Sequence, residues 1–222
     1  MPPITIDVQN SNLIFRAKFA RPLFQAPELS ARLIERFYEN NRELDIGVGD
    51  IRAQSTSDSI VDYALTYFFI KRLPNIRFNL TSLDVTAVEV IEHTPAFMEI
   101  VTARAMTALR ETFGDVLAVE RQEVVYEAHG IVNRVAATRH IDAFVPTRPM
   151  QLGQLEGKAY AFYFTDPPIR TSIVFDLSAL IPQGYYVKLM LSADQELELP
   201  VVRQRTEEEF ARLRNTFEIE LT

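Results

Sequence analysis

The pattern of apolar and polar residues predicts a long central helix over residues 94–114, with β-strands before and after it. Thr94 suits an N-cap, Pro95 suits the first helical position, and Gly114 suits a left-handed stop. Apolar residues recur on one side of this segment at helical spacing: Phe97, Met98, Val101, Ala105, Met106, Ala108, Leu109 and Phe113. This stripe is wide for a surface helix, so it predicts a helix that lies buried against a sheet.

Strict alternation of apolar and polar residues is clearest over residues 13–20, and it is typical of a strand with one face in water. Phe15 and Ala17 are expected in the core, and Arg16 and Lys18 are expected on the solvent side. Apolar or alternating runs predict further strands over residues 61–70, 76–90, 116–132, 135–145, 159–164, 172–177 and 185–191.

The order of these elements predicts an α+β fold in which a mainly antiparallel sheet wraps around the long central helix. A shorter amphipathic helix follows Pro27, and a capping box at Thr206 and Glu209 predicts a closing C-terminal helix. A strand, a long helix rich in small residues and a run of antiparallel strands resemble the hotdog arrangement, which implies a sheet wrapped around a helix. We expect a single compact domain over residues 1–222, with two similar β-α-β-β-β halves at residues 1–90 and 91–222 as a possible division.

The composition indicates an ordinary globular protein: 47% of the residues are hydrophobic, 24% are charged, and only 7 are glycine. The chain has no cysteine, which excludes disulfides, thiolate metal sites and cysteine nucleophiles and fits a reducing compartment. No signal peptide and no apolar run of about 18 residues is evident. We therefore expect a soluble, cytoplasmic protein.

The formal net charge of −7 disfavours nucleic acid as a partner, because an acidic surface repels phosphates. Two short basic clusters stand out against this average, namely Arg16, Lys18 and Arg21, and the pair Lys71 and Arg72. On an acidic chain, we interpret such short clusters as solvated faces.

A hairpin turn at Asn133 and Arg134 would gather candidate site residues from the strands on either side of it. In that register Glu127 lies opposite His140, and His129 and Asp142 share the same face. Two imidazoles and two carboxylates could act as an acid–base pair, and His129 and His140 could bind a divalent metal. The other interpretation is the solvated face of a sheet, because the residues between them are apolar.

No local motif of a common mechanism is present in the sequence. Residues 47–49 (Gly-Val-Gly) form only a weak phosphate-loop pattern, because Asp50 follows and the third glycine is missing.

We therefore expect a non-enzymatic binding protein without a cofactor, which uses a sheet edge or helix face for a protein partner or a space beside the central helix for an apolar small ligand. The alternative is a small-molecule enzyme or metal-binding protein that uses the histidine and carboxylate cluster. Self-association into a homo-oligomer is expected because open sheets have edges to protect.

Overall fold

The structure of the protein is a computed structural model, and it describes residues 4–44, 51–55, 63–69, 74–91, 93–132, 140, 159–181 and 184–222. Within these ranges lie three α-helices, α1 (Ala26–Asn41), α2 (Thr94–Phe113) and α3 (Leu199–Asn215), and two 3₁₀ turns, Arg42–Leu44 and Gly114–Val116. None of the helices in these ranges is both long and apolar enough to cross a membrane. The strands are β1 (Ile4–Phe19), β2 (Ile51–Ser55), β3 (Ala64–Phe69), β4 (Asn75–Asn79), β5 (Ser82–Val88), β6 (Val119–Ile131), β7 (Tyr160–Asp166), β8 (Ile169–Leu177), β9 (Tyr185–Ala193) and β10 (Ile219–Leu221).

The ten strands form one sheet in which β1 has a central place. The order across the sheet is β2-β3-β4-β5-β1-β6-β9-β8-β7, with antiparallel pairing, and β10 pairs in parallel with the start of β1. The prediction of a mixed α+β fold with a large antiparallel sheet is therefore confirmed. Residues 1–90 supply β1 to β5 and residues 91–222 supply β6 to β10; the single domain and its two similar halves remain predictions.

One face of the sheet is apolar and the other is polar, because neighbouring strands keep the same period of two. In β1, Phe15 and Ala17 are buried on the apolar face, whereas Arg16 and Lys18 lie on the polar face, as predicted. Buried side chains continue the apolar face across the other strands: Ile76, Phe78, Leu83, Val85, Val124, Tyr126, Ile173, Phe175, Val187, Leu189 and Leu191.

The three described helices pack on the apolar face, and none of them covers the polar face of the sheet. Helix α2 contacts β1 and β5 and also both other helices, and α3 lies over β6, where Phe210 meets the Tyr126 ring at a centroid distance of 4.8 Å. The predicted buried stripe of α2 is confirmed at Met98, Val101, Ala105, Met106, Ala108, Leu109 and Phe113. The wrapping of the sheet around α2 and the hotdog-like arrangement remain predictions, since α2 shares the apolar face with α1 and α3.

A fully buried carboxylate helps to hold α3 on the sheet. Glu209 is 0% exposed and lies 3.2 Å from both Arg205 and Arg212, beneath Thr171 of β8. Burial raises the pKa of Glu209, while the two arginines oppose that change. Arg205 also reaches Asp166 at 3.2 Å, so the ion pairs connect α3 with the β7–β8 hairpin.

The starts of two helices differ from the sequence prediction. The N-cap of α2 is His93, so Thr94 is the first helical residue rather than the N-cap. Helix α3 begins at Leu199, with a proline in its first turn, and Thr206 lies in its interior, where its hydroxyl donates a hydrogen bond to the Val202 carbonyl. The capping box is therefore wrong, because the helix begins seven residues earlier. The end of α2 is confirmed: Gly114 has a φ of 57°, which favours glycine. The possible phosphate loop at residues 47–49 lies outside the described residues.

We predict that Gly130→Ala destabilises the protein by about 1–3 kcal/mol, because β6 approaches β1 too closely at this point for a side chain. A Cβ atom at Gly130 would lie 2.4 Å from Cγ2 of Ile6 and 2.6 Å from the Asp7 carbonyl oxygen. Urea denaturation followed by circular dichroism measures the change. Ala161→Ser, on the exposed face of β7, is the control and should change the free energy of unfolding by less than about 0.5 kcal/mol. Equal stabilities of the Gly130 variant and the wild type would contradict the register of β1 and β6.

Candidate functional site

The predicted hairpin at Asn133 and Arg134 does not supply the partner of β6, because both edges of β6 are already paired. Glu127 lies opposite Asn12 of β1 and Lys188 of β9, so the predicted register that sets Glu127 opposite His140 is wrong. The sequence carries no direct signal of this pairing, because β1 and β9 are both far from β6 along the chain.

His140 lies on the other side of the sheet from Glu127 and His129. Its ring packs edge-on against Phe175 and Tyr185, in the apolar core, and Nε2 forms a hydrogen bond with the Phe217 carbonyl. Burial lowers the pKa of His140, and the contact with Phe217 and the charge of Glu218 only partly oppose it. His140 is therefore a buried residue of the apolar core in this structure.

The proposed four-residue site remains a prediction, because only three of its four residues are described. Asp142 lies outside the described residues, so a role for it remains a prediction. Glu127 and His129 do share the polar face of β6, as predicted. Among the described residues, no three histidine, aspartate or glutamate side chains come together in a way that could hold a metal ion.

Glu127 is held by two partners from β9. Lys188 Nζ lies 2.9 Å from its carboxylate, and the Tyr186 hydroxyl donates a hydrogen bond of 3.0 Å to the same oxygen. Partial burial alone would raise the pKa of Glu127, but the bonds from Lys188 and Tyr186 outweigh it and keep that pKa below its usual value. Glu127 is therefore a stable anion at neutral pH.

His129 is fixed by Ser178, which follows β8. The distance from His129 Nδ1 to Ser178 Oγ is 2.8 Å, and Oγ already accepts hydrogen bonds from the amides of Leu180 and Ile181. An imidazole that carries its proton on Nε2 can accept the single hydroxyl hydrogen of Ser178 at Nδ1. The ring also lies 4.7 Å from the Tyr186 ring, so a partly buried aromatic pair lies on the polar side of the sheet.

A row of charged residues crosses the polar face from strand to strand. The register aligns Arg77 of β4 with Asp84 of β5, Arg16 of β1 and Glu123 of β6, and the row continues through Ser192 to Arg170. Arg16 forms a bidentate pair with Asp84, with distances of 2.8 and 2.9 Å. The alternating signs are favourable, because oppositely charged residues in neighbouring strands attract each other.

Glu123 is the centre of this charged surface. Three cations approach its carboxylate: Arg121 at 2.8 Å, Lys18 at 3.5 Å and Arg16 at 3.9 Å. The Glu123 side chain is 9% exposed, whereas those of Arg16, Lys18 and Arg121 are 35–45% exposed. Lys18 and Arg121 lie directly opposite each other in the ladder, an arrangement that repels unless a carboxylate separates them.

The charged surface carries more positive than negative groups. We define it as five cations and three carboxylates: Arg16, Lys18, Arg77, Arg121, Arg170, Asp84, Glu123 and Asp194. It thus has an excess of two positive charges on a chain whose net charge is −7. The sequence analysis found only the Arg16 and Lys18 part of it, because the other cations come from distant strands.

Within the described residues, the cavity between the central helix and the sheet is too small for the apolar ligand that the sequence analysis predicts. A cavity of about 30 Å³ lies there, lined by residues such as Leu13, Met98, Val124 and Val202. That volume is about a tenth or less of a usual ligand pocket, which measures about 300–1,000 Å³.

Comparison with known proteins shows no family for this chain. No protein-family model matches the chain, and no curated protein matches it either. Among solved structures, the chain is similar to the rolling circle replication initiator protein from Geobacillus stearothermophilus. The identity is 10%, the match covers 94% of this chain and 85% of that chain, and the TM-score is 0.32. A likeness at this level assigns no activity to this chain.

The predicted function and the predicted partners differ from what the matched protein's name states. The sequence analysis predicts a binding protein for a protein partner or an apolar ligand, with a small-molecule enzyme or metal-binding protein as the alternative, and disfavours nucleic acid. The matched protein is instead a replication initiator. Neither prediction is kept. In physical terms, the net charge of −7 is an average over the chain and does not describe the charged surface around Glu123.

We predict that Glu123→Gln lowers the free energy of unfolding by about 1–2 kcal/mol in dilute buffer, since three cations would lose the carboxylate that separates them. The loss should shrink in 0.5 M NaCl, because salt screens the remaining repulsion between Arg16, Lys18 and Arg121. Urea denaturation at both salt concentrations measures this. Glu120→Gln, at an exposed position of the same strand, is the matched control. A loss that does not depend on salt would contradict the electrostatic role of Glu123.

We predict that the protein loses stability as the pH falls below about 6.5, in part because of His140. The unfolded chain binds a proton near that pH, whereas burial lowers the pKa of His140 in the folded state, so acid favours unfolding. Denaturation at pH 7.5 and pH 5.5 measures the difference. His140→Gln should reduce this loss, by at most about 1.4 kcal/mol per pH unit for one proton. An unchanged pH dependence in the variant would argue against a neutral, buried His140.

Proposed function

We propose that the polar face of the sheet binds single-stranded nucleic acid. The observation that supports this most directly is the set of three half-exposed cations, Arg16, Lys18 and Arg121, held around the shielded carboxylate of Glu123. Cations fixed by one buried acid need little reordering when they meet a phosphate. Phosphate groups supply most of the affinity of nucleic acids for such surfaces.

The shape of the sheet favours a single strand over a duplex. An open antiparallel sheet, backed by helices on one face, offers a broad surface on which unpaired bases can lie. Tyr163 of β7 is 79% exposed on this face, and the His129 and Tyr186 rings form a second aromatic position. Aromatic side chains stack with any base, so they support binding without strong sequence preference.

The acidic remainder of the chain limits where a strand can bind. The net charge of −7 means that the surfaces outside the polar face repel phosphates on average. A bound strand is then confined to the charged surface around Glu123, which carries the excess of two cations, and we expect the affinity to fall steeply as salt is added. Glu127 stays ionised, so its negative charge bounds the charged surface towards the His129 end of β6.

We predict that a fluorescein-labelled dT20 oligonucleotide binds the wild-type protein and that Lys18→Gln/Arg121→Gln weakens binding by about tenfold in 50 mM NaCl. Loss of two phosphate contacts should also reduce the slope of log K against log salt by about 1.4. Fluorescence anisotropy at 50–200 mM NaCl measures both quantities, and circular dichroism verifies that the variant is folded.

The matched control is Arg36→Gln/Arg214→Gln, which removes the same charge from α1 and α3 on the helix side of the sheet. This control should bind like the wild type. No binding by the wild-type protein, or equal weakening in both double variants, would contradict the proposal. A duplex that binds more tightly than the single strand would contradict the preference for unpaired bases.

A further inference from the structure

A cleft of about 320 Å³ lies at the turn between β1 and α1, at the end of the sheet that carries Lys18 and Arg121. It is lined by residues of this turn and by the end of α2 with its following turn: Arg21, Pro22, Leu23, Phe24, Gln25, Phe113 and Val116. Its volume is about ten times that of the gap beside the central helix, and it is at the lower end of the range for small-ligand sites.

The cleft has a rigid apolar base. Leu23 and Phe113 are almost completely buried, and Phe113 is packed against Phe78 with ring centroids 5.8 Å apart. The turn itself is tied to the sheet, because the Leu23 amide donates a 2.8 Å hydrogen bond to the Leu80 carbonyl. The cleft is therefore shaped by fixed groups rather than by a loosely held loop.

Three exposed side chains around the cleft are not engaged in the described part of the fold. Phe24 is 63% exposed, which is unusual for so large an apolar ring. Gln25 is the N-cap of α1 but makes no capping bond with its side chain. Arg21 is exposed and forms no ion pair with any residue in the described ranges.

The chemistry of these groups fits one nucleotide unit. The Phe24 ring can stack on a base, the Gln25 amide can both donate to and accept from a base edge, and the Arg21 guanidinium can bind a phosphate. Arg21 is three residues from Lys18, which is at most about 11 Å along the chain. A strand whose phosphates lie at Lys18 and Arg121 could therefore continue over the end of the sheet to Arg21.

We propose that this cleft receives a terminal, unstacked nucleotide of the single strand bound on the polar face, with its base on Phe24 and its phosphate at Arg21. This inference rests on the proposed function and adds an end-binding site to it. It predicts that the protein prefers strands with a free end.

The test uses dT12 strands that carry one 2-aminopurine at the 5′ end, at the 3′ end or in the centre. The fluorescence of 2-aminopurine falls when it stacks, so the inference predicts a marked decrease on binding for one end position and little change for the centre. Phe24→Ala should abolish that decrease and weaken binding about tenfold, whereas Phe24→Tyr should retain both. Arg21→Gln should weaken binding without removing the decrease at saturation.

The control is Ile91→Ala, which removes another exposed apolar side chain, 68% exposed, just before α2, whereas the cleft lies at the other end of that helix. It should behave like the wild type. Tight binding of all strands with no position-dependent decrease, or an unaffected Phe24→Ala variant, would overturn the end-binding site and leave the proposed function standing. If no strand binds, the proposed function fails. Titration of 2-aminopurine riboside monophosphate alone then tests whether the cleft binds a nucleotide. Quenching that depends on Phe24 supports a nucleotide site in the cleft, and no quenching overturns it.

Discussion

The pairing of β1 along both edges is the constraint on which the rest of the structure depends. β5 and β6 are separated in the chain by helix α2, yet both are aligned by the same residues of β1. Because side chains in a strand alternate between faces, this single alignment decides which residues of all three strands meet the helices and which meet water. It places Arg16 between Asp84 and Glu123, and it places Phe15 between Val85 and Val124 on the opposite face.

The same alignment brings two cations together and places a carboxylate between them. Lys18 and Arg121 are direct neighbours across the ladder, and they would repel each other in isolation. Glu123 lies between them and accepts both, together with Arg16, in a position that is largely shielded from water. The carboxylate thus stabilises a cluster of cations that a single strand could not hold, and the side chains of these cations remain 35–45% exposed.

The end of β1 is also where the two layers of the molecule meet. After Phe19 the chain crosses from the sheet to α1 through a short turn. The amides of Ala20 and Leu23 donate hydrogen bonds to the carbonyls of Ala118 and Leu80, and these bonds hold the crossing in place. The crossing leaves Phe24 exposed beside the end of α2. The Lys18 and Arg121 end of the charged surface therefore lies at the same end of the molecule as the apolar cleft. The proposed end-binding site depends on this proximity.

Local patterns in the sequence determined the elements with strong periodicity. The alternation over residues 13–20 predicts a strand and the apolar stripe of α2 predicts a helix from neighbouring residues alone. Burial on one side imposes a period of two on a strand and of 3.6 on a helix. The same patterns determined the mixed α+β class and the split of β1 into a core side and a solvent side. Only the tertiary structure decided the partners of β6, and with them the separation of His140 from Glu127 and the gathering of Arg16, Lys18 and Arg121 around Glu123. Strand pairing depends on contacts between residues far apart in the chain, so no local pattern specifies it.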